Sequence, residues 1–89
     1  MTKTAEFKII NRLGLHARAA AQLVQMANQF QSDITIEKEG VEVNAKSIMG
    51  LLMLAAPKDS TLKVMITGED AEQALLKIGE LINDGFGED

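Results

Sequence analysis

Apolar residues recur along this chain with two different periods, and the switches between them constrain the fold more than any other feature. Glu6-Phe7-Lys8-Ile9-Ile10 alternates and reads as a strand. Asn11 to Gly14 reads as a loop. From about Ala17 to Phe30 the period becomes helical, with Ala20, Leu23, Val24, Ala27 and Phe30 sharing one face. Ile34 and Ile36 then alternate with Thr35 and Glu37. Glu39-Gly40 is a turn, and Val41-Glu42-Val43 pairs back as the second arm of a hairpin. Ser47 to Leu54 reads as a short helix ended by Ala55-Ala56-Pro57, because Pro57 has no amide proton and disfavours helical geometry at Ala56. Leu62, Val64 and Ile66 alternate as a fourth strand. Asp70 opens a last helix with capping-box spacing to Gln73; Ala71, Ala74, Leu75, Ile78, Leu81 and Ile82 form its apolar face, and Gly85 closes it.

The order is β-α-β-β-α-β-α. Strands that alternate apolar and polar residues suit a sheet covered on one face, hence an antiparallel one. The expected fold is an α+β open-faced sandwich with the helices on one side of the sheet. With 89 residues, no repeat and no linker, one domain spanning residues 1–89 is expected. Fold of this kind does not by itself give function.

Charge and residue usage narrow the chemistry. The net charge of −4 and the scarcity of aromatics (three Phe, no Trp or Tyr) argue against a nucleic-acid partner. There is no cysteine and one histidine, so thiolate chemistry is excluded and no metal site is expected. The longest nearly apolar run, Ile48 to Pro57, is too short to span a bilayer, and the N-terminus lacks a signal-peptide core; a cytoplasmic location is expected. Charge is also unevenly placed. Residues 60–89 carry two lysines against seven acids, whereas no acid falls between Glu6 and Asp33, a stretch that holds Lys8, Arg12, His16 and Arg18. A locally positive face of this kind can receive an anion or an acidic partner.

The residues that carry chemistry are in Gly14-Leu15-His16-Ala17-Arg18-Ala19-Ala20. His16 precedes an amphipathic helix whose first amides have no intrahelical partner and bear partial positive charge. A group held at this junction can meet a phosphate with those amides. Arg18 adds a fixed charge and paired N–H donors, and Gly14 permits a tight backbone approach. A neutral imidazole nitrogen is a nucleophile near neutral pH, and a phosphorylated imidazole can hand its phosphate on. An ordinary helix cap at His16 and a solvated charge at Arg18 are the alternative. Ser47 is likewise placed as an N-cap for the second helix, a role that leaves room for phosphorylation there. That helix, Ile48-Met49-Gly50-Leu51-Leu52-Met53-Leu54, is apolar all round. With Leu51 and Leu54 facing in, Met49, Leu52 and Met53 form an outward patch, either a partner surface or one covered by the protein itself. Gly50 points to a close packing approach.

Gly14-Leu15-His16-Ala17-Arg18 resembles the active-site motif of the histidine-containing phosphocarrier (HPr) family of the bacterial phosphoenolpyruvate-dependent phosphotransferase system. Asn44-Ala45-Lys46-Ser47-Ile48-Met49-Gly50-Leu51 resembles its second motif, around a regulatory serine. The resemblance covers essentially the whole chain. It implies a four-stranded antiparallel sheet with three helices on one face. It implies that Enzyme I phosphorylates His16 at Nδ1, that Arg18 supports the phosphohistidine, and that the phosphate passes to a sugar-permease component or an equivalent acceptor. Ser47 would match a serine used by a kinase and phosphatase. Ala17, Ala20, Ile48, Met49, Leu52 and Met53 would form the partner-binding face, with the acidic C-terminal third lying away from it. It further implies a monomer that carries phosphate between enzymes without a cofactor and without entering a membrane. Two positions depart from the family pattern: Ala19 stands where Pro is usual, and Gly50 with Leu52 makes the second helix more apolar than in sugar-transport carriers with polar residues there. A nitrogen-related regulatory branch stays open, as does an interaction module switched by phosphorylation at His16 or Ser47 without onward transfer. A small-molecule-binding regulatory domain is a third reading; it would not need His16.

Overall fold

A computed structural model describes residues 1–88; Asp89 lies outside the described residues. The elements are β1 (Thr2–Lys8), α1 (Ala17–Ala27), β2 (Asp33–Lys38), β3 (Val41–Asn44), α2 (Ile48–Met53), β4 (Thr61–Thr67) and α3 (Ala71–Asn83), followed by a 3₁₀ turn at Gly85–Gly87. The strands form one antiparallel sheet in the order β1-β4-β2-β3. Ile34 and Ile36 of β2 and Leu62, Val64 and Ile66 of β4 are buried on the inner face. Leu23 of α1, Leu51 of α2 and Ile78 and Ile82 of α3 close over them as the helical layer. The hairpin between β2 and β3 turns through Glu39 and Gly40, both with positive φ (51° and 85°), the combination that matches the twist of a two-residue connection.

Two boundaries and one cap differ from the sequence reading, each for a visible reason. β1 runs from Thr2 to Lys8, in register with β4 from Thr2↔Thr67 to Lys8↔Thr61, not from Glu6 to Ile10. Its first half alternates threonine with Lys3 and Ala5, so the period is carried by polar residues. Ile9 leaves the ladder and is fully buried, its N–H donating to Ser60 O at 2.9 Å. Helix α1 stops at Ala27, not Phe30, because the bonding tightens from i−4 to i−3: Gln29 and Phe30 N–H donate to Met26 O and Ala27 O at 3.1 and 3.2 Å, and Gln31 and Ser32 N–H then donate to the Asp70 carboxylate at 2.9 and 3.1 Å. The same contacts correct the capping-box reading of α3. Asp70 makes no side-chain cap bond to its own helix; its carboxylate instead binds Gln31, Ser32 N–H and the Ser32 hydroxyl, tying the α1–β2 loop to the start of α3. The Ser32 hydroxyl, followed by the Gln31 amide, holds the Asp70 carboxyl below its ordinary pKa.

The small residues of two helices face close neighbours. A Cβ at Gly50 would lie 3.1 Å from Val43 Cβ, so α2 rests directly on β3. At Gly79 of α3 it would fall 2.8 Å from Phe7 Cε1, so the β1 ring occupies the space a side chain would need.

Candidate functional site

The loop before α1 is shaped by Gly14. Its φ is +70°, and a Cβ there would fall 2.5 Å from Ala56 O and 2.9 Å from Pro57 Cα. Leu15 N–H donates to Ala56 O at 2.8 Å, and the Leu15 side chain is buried. The loop is thus pressed against the segment that follows α2, which fixes where the next residue begins the helix.

That residue is His16, the N-cap of α1, with extended backbone (φ −78°, ψ −178°). Its carbonyl accepts from Ala20 N–H at 2.8 Å, and its Nδ1 accepts from Arg18 N–H at 3.3 Å. Nδ1 therefore presents a lone pair at the positive end of the helix. The ring is partly open to solvent, with 28% of the side chain exposed. Arg18 is exposed, and among the described residues its guanidinium enters no ion pair.

The other ring nitrogen meets a residue that sequence reasoning missed. His16 Nε2 lies 2.9 and 3.0 Å from the two carboxylate oxygens of Glu88. Asn11, 1% exposed, donates from Nδ2 to Glu88 Oε1 and to Gly14 O, each at 2.8 Å. The Asn11 bond is the largest influence holding the Glu88 carboxyl below its ordinary pKa. Burial opposes it, and the hydrogen bond and charge of His16 and the Arg18 charge add to it. The acidic C-terminal third therefore does not lie wholly away from this face. Gly85, Phe86 and Gly87 all take positive φ (64°, 57° and 75°), and Phe86 is buried, so the chain reverses after α3 and returns Glu88 to the His16 loop. The sequence signal is the aromatic between two glycines; the sequence reading uses only Gly85, as the end of α3.

Ser47 caps α2 as expected, its Oγ accepting from Gly50 N–H at 3.1 Å. Lys46 is tethered, Nζ donating to Phe30 O at 2.9 Å. Of the residues expected to meet a partner, Met49 and Met53 are the most exposed (67% and 75%), Ile48 and Leu52 are exposed to a lesser degree, and Leu51 and Leu54 face inward. Ala17 is exposed, whereas Ala20 is fully buried on the core face of α1 with Leu23 and Ala27 and is a packing residue. Ile10 and Leu13, in the His16 loop, are exposed apolar residues that the sequence reading passed over. Among the described residues no group of three or more His, Cys, Asp or Glu could hold a metal ion. Among the described residues no helix is long and apolar enough to cross a membrane.

A histidine whose ring caps a helix start and meets a carboxylate on its other nitrogen can be set beside known proteins. The family model described as "PTS HPr component phosphorylation site" matches residues 3–84. The chain belongs to the HPr family. Phosphocarrier protein HPr of Xylella fastidiosa is 49% identical over 84 residues, covering 94% of this chain and 94% of that one. The crystal structure of HPr from Thermoanaerobacter tengcongensis superposes with a TM-score of 0.94 at 42% identity, covering 98% of each chain. A structure of Crh, the HPr-like protein of Bacillus subtilis, described as a swapped, intertwined dimer, superposes with a TM-score of 0.76 at 42% identity, covering 89% of this chain and 91% of that one. The four-stranded antiparallel sheet and three helices are thus those of HPr, and a phosphocarrier role in the phosphotransferase system follows from membership.

Proposed function

We propose that His16 is the phosphoryl acceptor of this chain and that the chain shuttles phosphate from Enzyme I to a downstream acceptor of the phosphotransferase system. The observation that carries this reading is the Nδ1 lone pair held at the start of α1, beside an exposed Arg18 without an ion pair among the described residues. In the step, Nδ1 attacks the phosphorus of the phosphorylated donor. The new N–P bond forms as the bond to the donor's leaving atom breaks, and that atom keeps the electron pair. The first amides of α1 and the Arg18 guanidinium then face the transferred phosphate, a preorganised anion site that needs little rearrangement.

Ile48, Met49, Leu52 and Met53, with Ala17, form the docking face for Enzyme I and the downstream sugar-permease component. Ser47, at the start of that patch, is the regulatory site for a serine kinase and phosphatase, because a phosphate there would sit at the positive end of α2 and beside the docking residues. The chain works in the cytoplasm as one monomeric domain without a cofactor. Sedimentation at the mass of one 9.6 kDa chain supports the monomer; a dimer mass refutes it.

A carrier must give its phosphate back, whereas a switched module need not. The test is a chase: load the chain with labelled phosphate from phosphoenolpyruvate and Enzyme I, remove the donor, and add pyruvate with Enzyme I. Return of label to phosphoenolpyruvate supports the carrier. Label that stays on the chain supports the regulatory module instead.

A further inference from the structure

Phosphoryl acceptance makes a demand on both nitrogens of the imidazole, and the helix start addresses only one of them. A neutral ring has one N–H and one bare nitrogen, and only the bare one can attack. Attack also leaves the ring positively charged, because the lone pair that formed the N–P bond is no longer available while the other nitrogen still holds its proton. A partner at the far nitrogen that accepts its proton in a hydrogen bond before the step and balances its charge during it would therefore favour the step.

We propose that Glu88 is that partner, a positioning residue whose carboxylate, clamped by Asn11, keeps Nε2 as the protonated nitrogen of His16 and leaves Nδ1 bare for transfer. The inference rests on the phosphocarrier reading above. An ionised carboxylate only accepts hydrogen bonds. Both Glu88 oxygens lie within 2.9–3.0 Å of Nε2, so the proton must be on Nε2. The Arg18 N–H directed at Nδ1 requires the same tautomer from the other side of the ring. The two contacts agree, and together they fix both which nitrogen attacks and which way the ring faces. As the N–P bond forms, positive charge grows on the ring and the Nε2–H···carboxylate bond becomes charge-assisted. The contact is thus stronger in the transition state than before it. The proton stays on Nε2 throughout, so the carboxylate needs no change of protonation.

The surrounding structure is built to hold the carboxylate there. Glu88 is 18% exposed at its side chain, follows the buried Phe86 anchor, and shares its Oε1 with the Nδ2 of a fully enclosed asparagine. Asn11 uses its second amide proton on Gly14 O, so one side chain links the carboxylate to the loop that places His16. A tail residue merely resting on the surface would need neither the anchor nor the clamp.

The test is Glu88→Ala, near the end of the chain and outside every strand and helix of the sheet layers, read two ways. In the unphosphorylated protein, nitrogen-15 spectra of the His16 ring should show Nε2 protonated and Nδ1 bare in the parent. In the variant those signals should move and the Nε2 proton should exchange faster with water, with the backbone amide spectrum otherwise unchanged. With the chain as substrate of Enzyme I, kcat should fall about tenfold with KM little changed, since the ring is mispositioned while the docking face is intact. Ring signals identical in parent and variant overturn the proposal. So does an altered ring with unchanged kcat, because the contact would then be structural only. If the parent chain accepts no phosphate at all, the phosphocarrier reading fails, and the ring spectra still decide whether Glu88 sets the tautomer.

Discussion

Replacing Gly14 with alanine should destabilise the protein by more than its backbone conformation alone can explain. At φ +70° an L-residue costs about 1–2 kcal/mol. The added Cβ would also lie 2.5 Å from Ala56 O and 2.9 Å from Pro57 Cα. Both are backbone atoms, so no side chain can rotate aside, and forced overlap of this kind adds about 1–3 kcal/mol. The combined loss is about 3 kcal/mol, which for a chain of this size lowers Tm by roughly 12–24 °C. Gly40 is the internal control: its φ is +85°, yet nothing lies within 4 Å of a Cβ there, so Gly40→Ala bears the conformational cost alone. Urea unfolding followed by circular dichroism measures both. Gly14→Ala should lose at least 1 kcal/mol more than Gly40→Ala, by the steric part alone. It should also slow phosphorylation of His16, because the loop that starts α1 must shift. Equal losses in the two variants would refute the steric argument and the claim that Ala56 and Pro57 fix the His16 loop.

Acid should weaken the α1–β2 anchor: the Asp70 carboxyl is held below its ordinary value of 3.8, so its contribution is complete above that value and is lost as pH falls through the lower folded value. In acid titrations Asp70→Asn should therefore flatten the stability profile below about pH 5, and an unchanged profile would show the anchor to be idle. Gly79→Ala should destabilise by about 1–2 kcal/mol despite alanine's better helix propensity, since its Cβ meets the Phe7 ring, and Phe7→Leu should relieve much of that loss in a double-mutant cycle. Ser47→Ala should cost about 1 kcal/mol through the lost cap to Gly50 N–H, whereas Ser47→Asp should keep the cap and raise KM for Enzyme I; an unchanged KM would remove Ser47 from the docking face.

What the sequence made legible follows from where the signal is local. The alternation in Ile34–Ile36 and Leu62–Ile66 and the stripe from Ala71 to Ile82 report burial directly, and those residues are the core. His16 and Ser47 were legible because a cap is read from its own neighbours: Ser47 caps as expected, and His16 makes the cap that stood as the alternative reading. The illegible parts depend on partners far along the chain. Asp70 has the spacing of a cap, but its carboxylate is drawn to amides 38 and 39 residues away. Glu88 meets His16 across 72 residues, through a reversal that three residues with positive φ create, and no period announces such a turn. Ala20 sits one helical turn from His16, and its spacing fits both the core stripe and the partner face; the packing places it in the core. The early half of β1 was hidden because threonine, lysine and alanine carry its alternation.

The central claim is that His16 takes the phosphate, and intact-mass measurement after incubation with phosphoenolpyruvate and active Enzyme I tests it most directly. The account predicts one added phosphate on the parent chain, lost in acid and kept in base, and none on His16→Ala. A phosphate that survives acid, or that still appears on His16→Ala, would contradict it.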